Sequence, residues 1–519
     1  MTMYYSKKFL TALVLILVTG SLSCENGLDV NNPNEPTLEV VKNEEGLKRV
    51  ARGIYGTGNG WFEWIVWMYH ESMGDNVTIP YTNYNWFYLS GTVEKVAMSD
   101  GTVVTPAASS NTGRSQSDWV NFVNDREDPR GAIQYEWEAM YRMNNEANLI
   151  LKTLDEGVDF SGAPAVQAEK QKAYKAFAHF WKGYAYSRIG LMYERGLIID
   201  EYGENNNNFV TPGAMLTESN RQFDLALQDI GSLSSIITDI QPEIFPTSVT
   251  AASMEQAANT IKARNLLCGS YRSELTQADW QEIKSLASNG LMSNDGALLI
   301  DSDEATFLTT ITARWRLANF WAAPSARIIQ AAAHAGNDQR LSNNFAQATA
   351  LSLTRSTANP HLNAPFQALA PYASPNPAEA PQYLVSAEEN MLMLAEAELA
   401  LGNPDVAAGH INDVRTMQSA GVNPINSATV EDIYWERKIA LFMRNLAFYD
   451  NRRFKYLLSE TEGGGLDDAW IYRWDSDNSQ FNLDQQATLY YDFAEYWPLP
   501  VQETTFNSPD GSGSPTPAN

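Results

Sequence analysis

The strongest constraint on the fold is local and repeated: helical hairpins written out in full. In "SAEENMLMLAEAELALGNPDVAAGHINDVRTM", Met391, Leu394, Ala395 and Leu399 recur at steps of three and four, which puts them on one face of a helix. Ser386 and Glu389 have the spacing of a capping box at its start. Gly402 is placed to end the helix in a left-handed conformation. Asn403 is placed to cap a second helix, with Pro404 at its first position. The stretch predicts two antiparallel helices joined by a tight turn.

The same periodicity dominates elsewhere. "PRGAIQYEWEAMYRMNNEANLILKTL" sets Ile133, Trp137, Met140, Tyr141, Ala147 and Leu151 on one stripe, and "AEKQKAYKAFAHFWKGYAYSRIGLMY" does so with Ala173, Phe177, Phe180, Trp181 and Tyr184. "NRQFDLALQDIGSLSSII", "SMEQAANTIKARNLLCGSYRSEL" and "DWQEIKSLASNGLM" follow as further helices. Hairpins with small residues at the crossing resemble tetratricopeptide units, but their spacing is irregular and long insertions intervene. Strand signals are sparse and short. The clearest is "NYNWFYLSGTVEKV", which alternates Tyr84, Trp86 and Tyr88 on one face. Residues 99–125 are rich in Ser, Thr, Asn and Gly and read as exposed loop. The expected fold is all-α: divergent TPR-like hairpins forming a scaffold, with long loops and a few short strands carrying a ligand face.

Composition narrows the function classes. The chain has 62 acidic against 36 basic residues, a formal charge of −26, which argues against nucleic acid and against electrostatic attachment to anionic lipid. Of the two cysteines, Cys268 lies on the apolar side of a helix and reads as a buried, inert thiol. The five histidines, His70, His179, His334, His361 and His410, have no metal-ligand spacing. The Asp/Asn-rich residues 475–482 give only a weak suggestion of a structural calcium ion, and no other cofactor is indicated.

The other cysteine, Cys24, ends an N-terminal segment with a distinct layout. Lys7 and Lys8 precede a short apolar run over residues 9–18, followed by small residues; this is the pattern of a secretory signal, and the run is too short to span a bilayer. Ser21-Leu22-Ser23-Cys24 resembles a bacterial lipobox, although Leu usually stands at the Ser21 position and a small residue at the Leu22 position. The alternative is a plain secretory signal with a chance cysteine. On the lipobox reading, residues 1–23 are a signal peptide and Cys24 is acylated. Residues 24–37 then form a polar, Asn/Pro-rich leash, residues 38–507 a single helical domain, and residues 508–519 a disordered tail.

Several segments, in order over most of the chain, resemble the SusD/RagB family of surface nutrient-binding lipoproteins. "LDVNNPNEPT" resembles its opening. "YEWEAMYRMNNEANLIL" resembles its W-x-x-x-Y-x-x-I-x-x-A-N helix, with Trp137, Tyr141 and Asn148 in place. "AFAHFWKGYAYSRIGLMYERGLII" and "AEENMLMLAEAELALGNPDVAAGHINDVR" resemble its hairpin helices. "WERKIALFMRNLAFYDNRRF" matches a late helix at Glu436, Arg437, Leu441, Asp450 and Arg453, and "YWPLPVQETTFNSP" resembles the close. Ala440, Arg444 and Ala447 depart from that late helix, so its usual internal ion pairs are not all expected.

The resemblance implies a lipid-anchored protein on the outer face of the outer membrane. Such a protein acts as a hinged lid over a SusC-like TonB-dependent transporter and captures an oligosaccharide or, in some branches, a peptide.

A glycan face needs flat rings to stack on sugar C–H groups and planar polar groups to reach paired hydroxyls. Two clusters fit, and the family's ligand aromatics tend to come from corresponding stretches. "MGDNVTIPYTNYNWFYLSG" holds Asp75, Asn76, Tyr81, Asn83, Tyr84, Asn85 and Trp86; "ITARWRLANFWAAPSAR" holds Arg314, Trp315, Arg316, Asn319, Phe320 and Trp321. Trp86 and Trp315 are the leading ring candidates; the bland alternative is that these rings pack under loops or against the transporter. "DDAWIYRWDSD" is a third aromatic cluster, ranked lower because a late loop can simply cover the core.

Nucleophile elbows and phosphate loops are absent from the sequence. Acidic pairs such as Asp467 and Asp468 arise by chance in so acidic a chain, so paired carboxylates alone do not make a glycosidase. A binding protein without catalysis is the leading reading. A surface-tethered glycan hydrolase and a helical-repeat peptide binder are the alternatives.

Overall fold

The computed structural model describes residues 38–54, 69–78, 93–104, 124, 132–233, 240, 249–300, 323–347, 366–368, 382–475, 480–491 and 493–507. Eleven of the fourteen α-helices among the described residues organise the fold. They are α1 (Glu44–Gly53), α2 (Ala132–Glu156), α3 (Pro164–Met192), α4 (Pro212–Ile230), α5 (Ala251–Cys268), α6 (Gln277–Ser288), α7 (Ala326–Ala335), α8 (Ala387–Ala400), α9 (Pro404–Met417), α10 (Val430–Ala440) and α11 (Ala447–Arg453). The fold is mostly helical, as the periodicity predicts.

Local chemistry sets the helix starts. Thr250 with Ser253, Thr276 with Asp279 and Thr429 with Asp432 close reciprocal capping boxes on α5, α6 and α10. Pro164, Pro212 and Pro404 occupy first-turn positions, where a missing N–H costs nothing. Neighbouring helices pack along the series α2, α3, α4, α5, α6, α8, α9 and α10, and α7 lies on α10.

Three details differ from the sequence reading. Ser386 does cap α8 through the Glu389 N–H at 3.4 Å, but Glu389 does not reach back; its carboxylate is bound by Arg264 at 2.5 and 2.7 Å. Gly402 ends α8 at φ 87°, as predicted, yet Asn403 makes no side-chain cap and donates to Glu398 at 2.8 Å instead. Helix α3 is not a one-faced helix: nearly every residue from Ala173 to Met192 is buried, because α2 and α4 both pack against it. Its Phe180 and Trp181 meet edge to face at 5.3 Å, and Phe180 meets Phe223 of α4 at 5.4 Å.

Of the twelve strands among the described residues, eight bear on the site: β1 (Val77–Thr78), β2 (Lys95–Ala97), β3 (Val103–Val104), β4 (Leu298–Ile300), β5 (Ala323–Pro324), β6 (Gln382–Val385), β7 (Leu466–Asp475) and β8 (Gln480–Tyr490). Most are short, as expected. The exception is the antiparallel hairpin of β7 and β8, ten and eleven residues long, which continues through β2 to β3. "DDAWIYRWDSD" is therefore strand rather than loop. Of the predicted "NYNWFYLSGTVEKV" strand, residues 83–92 lie outside the described residues and its end enters β2. Residues 99–125 are not wholly loop, since they contain β3. Among the described residues, no helix is long and apolar enough to cross a membrane.

Candidate functional site

The described ends of the two ring-rich clusters come together. Val77 and Thr78 of β1 pair antiparallel with Pro324 and Ala323 of β5. Residue 79 follows directly on Thr78, and residue 322 directly precedes Ala323. Ladder partners have Cα atoms about 5 Å apart, and each further peptide adds at most 3.8 Å, roughly. The described ends of the two clusters therefore share one two-strand stem. Tyr81, Tyr84, Trp86, Arg314, Trp315, Arg316 and Trp321 themselves lie outside the described residues, as do Asn83, Asn85, Asn319, Phe320 and Cys24.

The sequence reading put Asp75 and Asn76 on the ligand face. The structure turns both inward, at 0% and 1% exposure, where they carry the stem. Asp75 has φ 51°, a left-handed conformation that a short polar side chain tolerates. Its carboxylate accepts from Arg327 Nε at 2.7 Å and from the Tyr491 hydroxyl at 2.5 Å. Its carbonyl accepts from the Ser325 hydroxyl at 2.6 Å, and the Asn76 carbonyl accepts from the Ser325 N–H at 2.9 Å. The Asn76 amide donates to Glu71 at 2.7 Å, and Glu71 also accepts from the Asn445 N–H at 3.0 Å. Below the turn, the Gly74 carbonyl accepts from Asn451 at 2.9 Å and from Lys438. Burial pulls Lys438 down to about 8, although Asp75, Asp450 and Glu71 oppose the shift. A "GDN" triplet beside aromatics has the composition of an exposed loop; only the distant Arg327 and Tyr491 reveal it as a foundation.

The late hairpin joins the same place. Arg327 donates to the Trp470 carbonyl, and Gln330 of α7 exchanges bonds with β7, donating to Asp468 at 2.8 Å and accepting from Trp470 at 2.9 Å. Ala469 and Ile471 point into the core while Trp470 and Tyr472 remain half-buried. The alternation of Trp470, Tyr472 and Trp474 is the strand signal that the loop reading passed over.

Beneath the stem is a frame of buried ion pairs. Arg453 grips Glu396 with two bonds of 2.7 Å and donates to Asp450 at 2.8 Å; Asp450 also accepts from Arg437 at 2.9 Å. Glu436 accepts from Arg340 at 2.7 Å and Arg415 at 2.8 Å. Burial pushes the Glu396 and Asp450 carboxyls up, but the guanidinium groups outweigh it and hold both below the ordinary range. The late helix thus keeps buried ion pairs despite Ala440, Arg444 and Ala447. Arg444 itself pairs with Glu388 at 3.8 Å and stacks over Tyr383 at 3.6 Å from the ring centroid.

A second frame sits under Tyr69–Met73. His70 lies 3.2 Å from Glu136, which accepts from Arg188 Nε at 2.7 Å. Burial drives His70 down to about 4, against the pull of Glu136. Cys268 is buried and its thiol is pushed up to about 11 by burial. Among the described residues no His, Cys, Asp and Glu cluster could hold a metal ion, and residues 476–479 of the suggested calcium stretch lie outside them.

Comparison with known proteins agrees with this architecture. Residues 389–510 match the model of the SusD family. Solved structures with the same fold include a SusD homolog from Bacteroides thetaiotaomicron (TM-score 0.62, 15% identity, covering 90% of this chain and 97% of that one). A SusD superfamily protein from Bacteroides vulgatus has TM-score 0.58 and 14% identity, covering 92% and 99%. A SusD-like carbohydrate binding protein from Bacteroides fragilis has TM-score 0.58 and 13% identity, covering 89% and 98%. A search of curated proteins gives no match. Residues 389–510 thus match the SusD family, and the fold of SusD-like structures extends over about nine-tenths of the chain.

Proposed function

We propose that this chain is a surface-exposed outer membrane lipoprotein that binds an oligosaccharide or polysaccharide. It acts as the lid of a SusC-like TonB-dependent transporter in nutrient uptake. The observation that carries the reading is the pairing of β1 with β5, which roots both ring-rich clusters in one stem. Rings from two segments leaving one stem can line a single sugar-binding face, with Trp86 and Trp315 as stacking platforms. Tyr81, Tyr84, Arg314, Arg316 and Trp321 supply further rings and donors. The match of residues 389–510 to the SusD family supports nutrient binding, and the fold shared with the SusD-like carbohydrate binding protein from Bacteroides fragilis supports carbohydrate as the ligand class.

Cys24 carries the lipid, residues 1–23 are removed as a signal peptide, and residues 24–37 let a domain over residues 38–507 swing on the membrane, with residues 508–519 as a free tail. The protein has no catalytic step and takes no cofactor: it holds the glycan until the transporter takes it. The acidic balance of 62 against 36 residues supports a partner other than nucleic acid.

The test uses the soluble chain from Glu25 onward, titrated calorimetrically against plant, algal and microbial polysaccharides, with a peptide pool alongside. Binding without release of product is expected. Binding to peptides alone would move the ligand class to peptide, and turnover of a polysaccharide would make the chain a hydrolase.

A further inference from the structure

Away from the stem, the described residues enclose a pocket of about 220 Å³ where the C-terminal end of α5 meets α11 and the chain beyond β8. It shares no residue with the stem. Its floor is Arg452, at 3% exposure. That guanidinium donates to the carbonyls of Leu191 at 2.7 Å, Glu495 at 3.0 Å and Cys268 at 3.1 Å, and lies 4.2 Å from the centre of the Tyr496 ring. Three of its five N–H groups are thereby engaged among the described residues. Also in the lining, the Tyr271 hydroxyl donates to the Glu495 carboxylate at 2.8 and 2.9 Å. A carboxylate has about four lone-pair sites, so most of the accepting capacity of Glu495 is left for another donor. Glu274 and Ser270 complete the rim.

The ligand class follows from what this wall offers. Donor and acceptor capacity stand side by side, between two phenol rings. A simple cation would sit beside Arg452, and beside Lys455, which lies 4.6 Å from the centre of the Tyr271 ring. A simple anion would sit against Glu495 and Glu274. A vicinal diol both donates and accepts, and a sugar C–H face suits the rings. Liquid water takes about 30 Å³ per molecule, so the pocket has room for about seven waters, the size of one sugar ring.

We propose that the Tyr271–Arg452–Glu495–Tyr496 pocket is a second saccharide subsite, separate from the stem, that takes a single pyranose ring. Glu495 accepts from neighbouring hydroxyls, Arg452 donates, and the tyrosines form the walls. The ligand class rests on the glycan reading above, but the two fail separately.

The test is ligand-observed saturation-transfer NMR on the chain from Glu25 onward. The probes are the methyl pyranosides of glucose, galactose and mannose, with free glutamate as a zwitterionic comparison. Ser270→Trp fills the mouth from an exposed position, and Glu495→Gln removes the acceptor charge. At least one pyranoside should give a signal that both variants weaken by about tenfold or more, the value of one hydrogen bond to a charged group. The same signal should persist in the Trp86→Ala/Trp315→Ala protein. No pyranoside signal, a signal unaffected by Ser270→Trp, or binding of glutamate alone would overturn the subsite. A signal lost only in the tryptophan variant would also overturn it while leaving the stem-borne site standing. Loss of polysaccharide binding with the pyranoside signal intact would do the reverse.

Discussion

Replacing Arg327 by methionine should loosen the stem more than any exposed change could. The substitution keeps an unbranched apolar stem and deletes the guanidinium. Asp75 would then hold a fully buried carboxylate with only the Tyr491 hydroxyl as donor, since its Oδ1 already has no hydrogen-bond partner among the described residues. The Trp470 carbonyl would lose its arginine donor as well. Breaking one side of a buried pair costs about 3–5 kcal/mol, and an orphaned carbonyl about 1–3. These overlap, so a loss of about 4 kcal/mol is expected. Asp75→Asn added to Arg327→Met removes the stranded charge, and Asn tolerates φ 51°. The double variant should recover half or more of the loss. Urea unfolding followed by the 14 tryptophans, with circular dichroism as a second probe of a single transition, reads both values. A cost under about 1 kcal/mol for Arg327→Met would refute the reasoning, because a surface pair costs no more than that. A double variant as unstable as the single one would show that charge is not the cause.

Other outcomes follow from named residues. His70 is held at about 4 when folded, against an ordinary 6.5, so only the unfolded chain takes up that proton between these values. Stability should therefore be full above pH 6.5 and fall toward pH 4, by on the order of 3 kcal/mol from this group. His70→Gln should flatten the slope in urea unfolding measured from pH 7 to 4, and an unchanged slope would contradict the assignment. Cys268 should resist iodoacetamide at pH 8 until the chain unfolds, as read by mass spectrometry, because the buried thiol sits near 11. Gly74→Ala would bring a methyl to 2.5 Å from the Ala447 side chain and 2.7 Å from its backbone, and should cost about 1–3 kcal/mol in the same unfolding assay. A neutral result there would mean that the turn is not clamped against α11.

The helices were legible because their signals are local. Periodicity, capping residues and Gly402 lie within a few positions of what they control. Helix α3 was legible as a helix but not as the centre of the packing, since burial on every face is decided by partners rather than by its own period. The stem was not legible at all. Asp75 depends on Arg327, 252 positions later, and on Tyr491, 416 positions later. No local pattern distinguishes a polar residue waiting for a ligand from one waiting for a buried partner. Glu389 repeats the lesson: its spacing from Ser386 suits a cap, and the arrival of Arg264 decides otherwise. The Tyr271 pocket was equally hidden, being built from three separate parts of the chain.

The most direct measurement concerns the two tryptophans assigned to a shared face. Affinity electrophoresis of the wild-type chain, Trp86→Ala and Trp315→Ala, in gels containing a polysaccharide that retards the wild type, compares them under one condition. Stacking of a nucleic-acid base on an aromatic ring is worth roughly 1–3 kcal/mol, and with a sugar face at the lower end of that range each variant should lose about fivefold in affinity, with no sugar released. Wild-type retardation of both variants would contradict a ligand face borne on the β1–β5 stem.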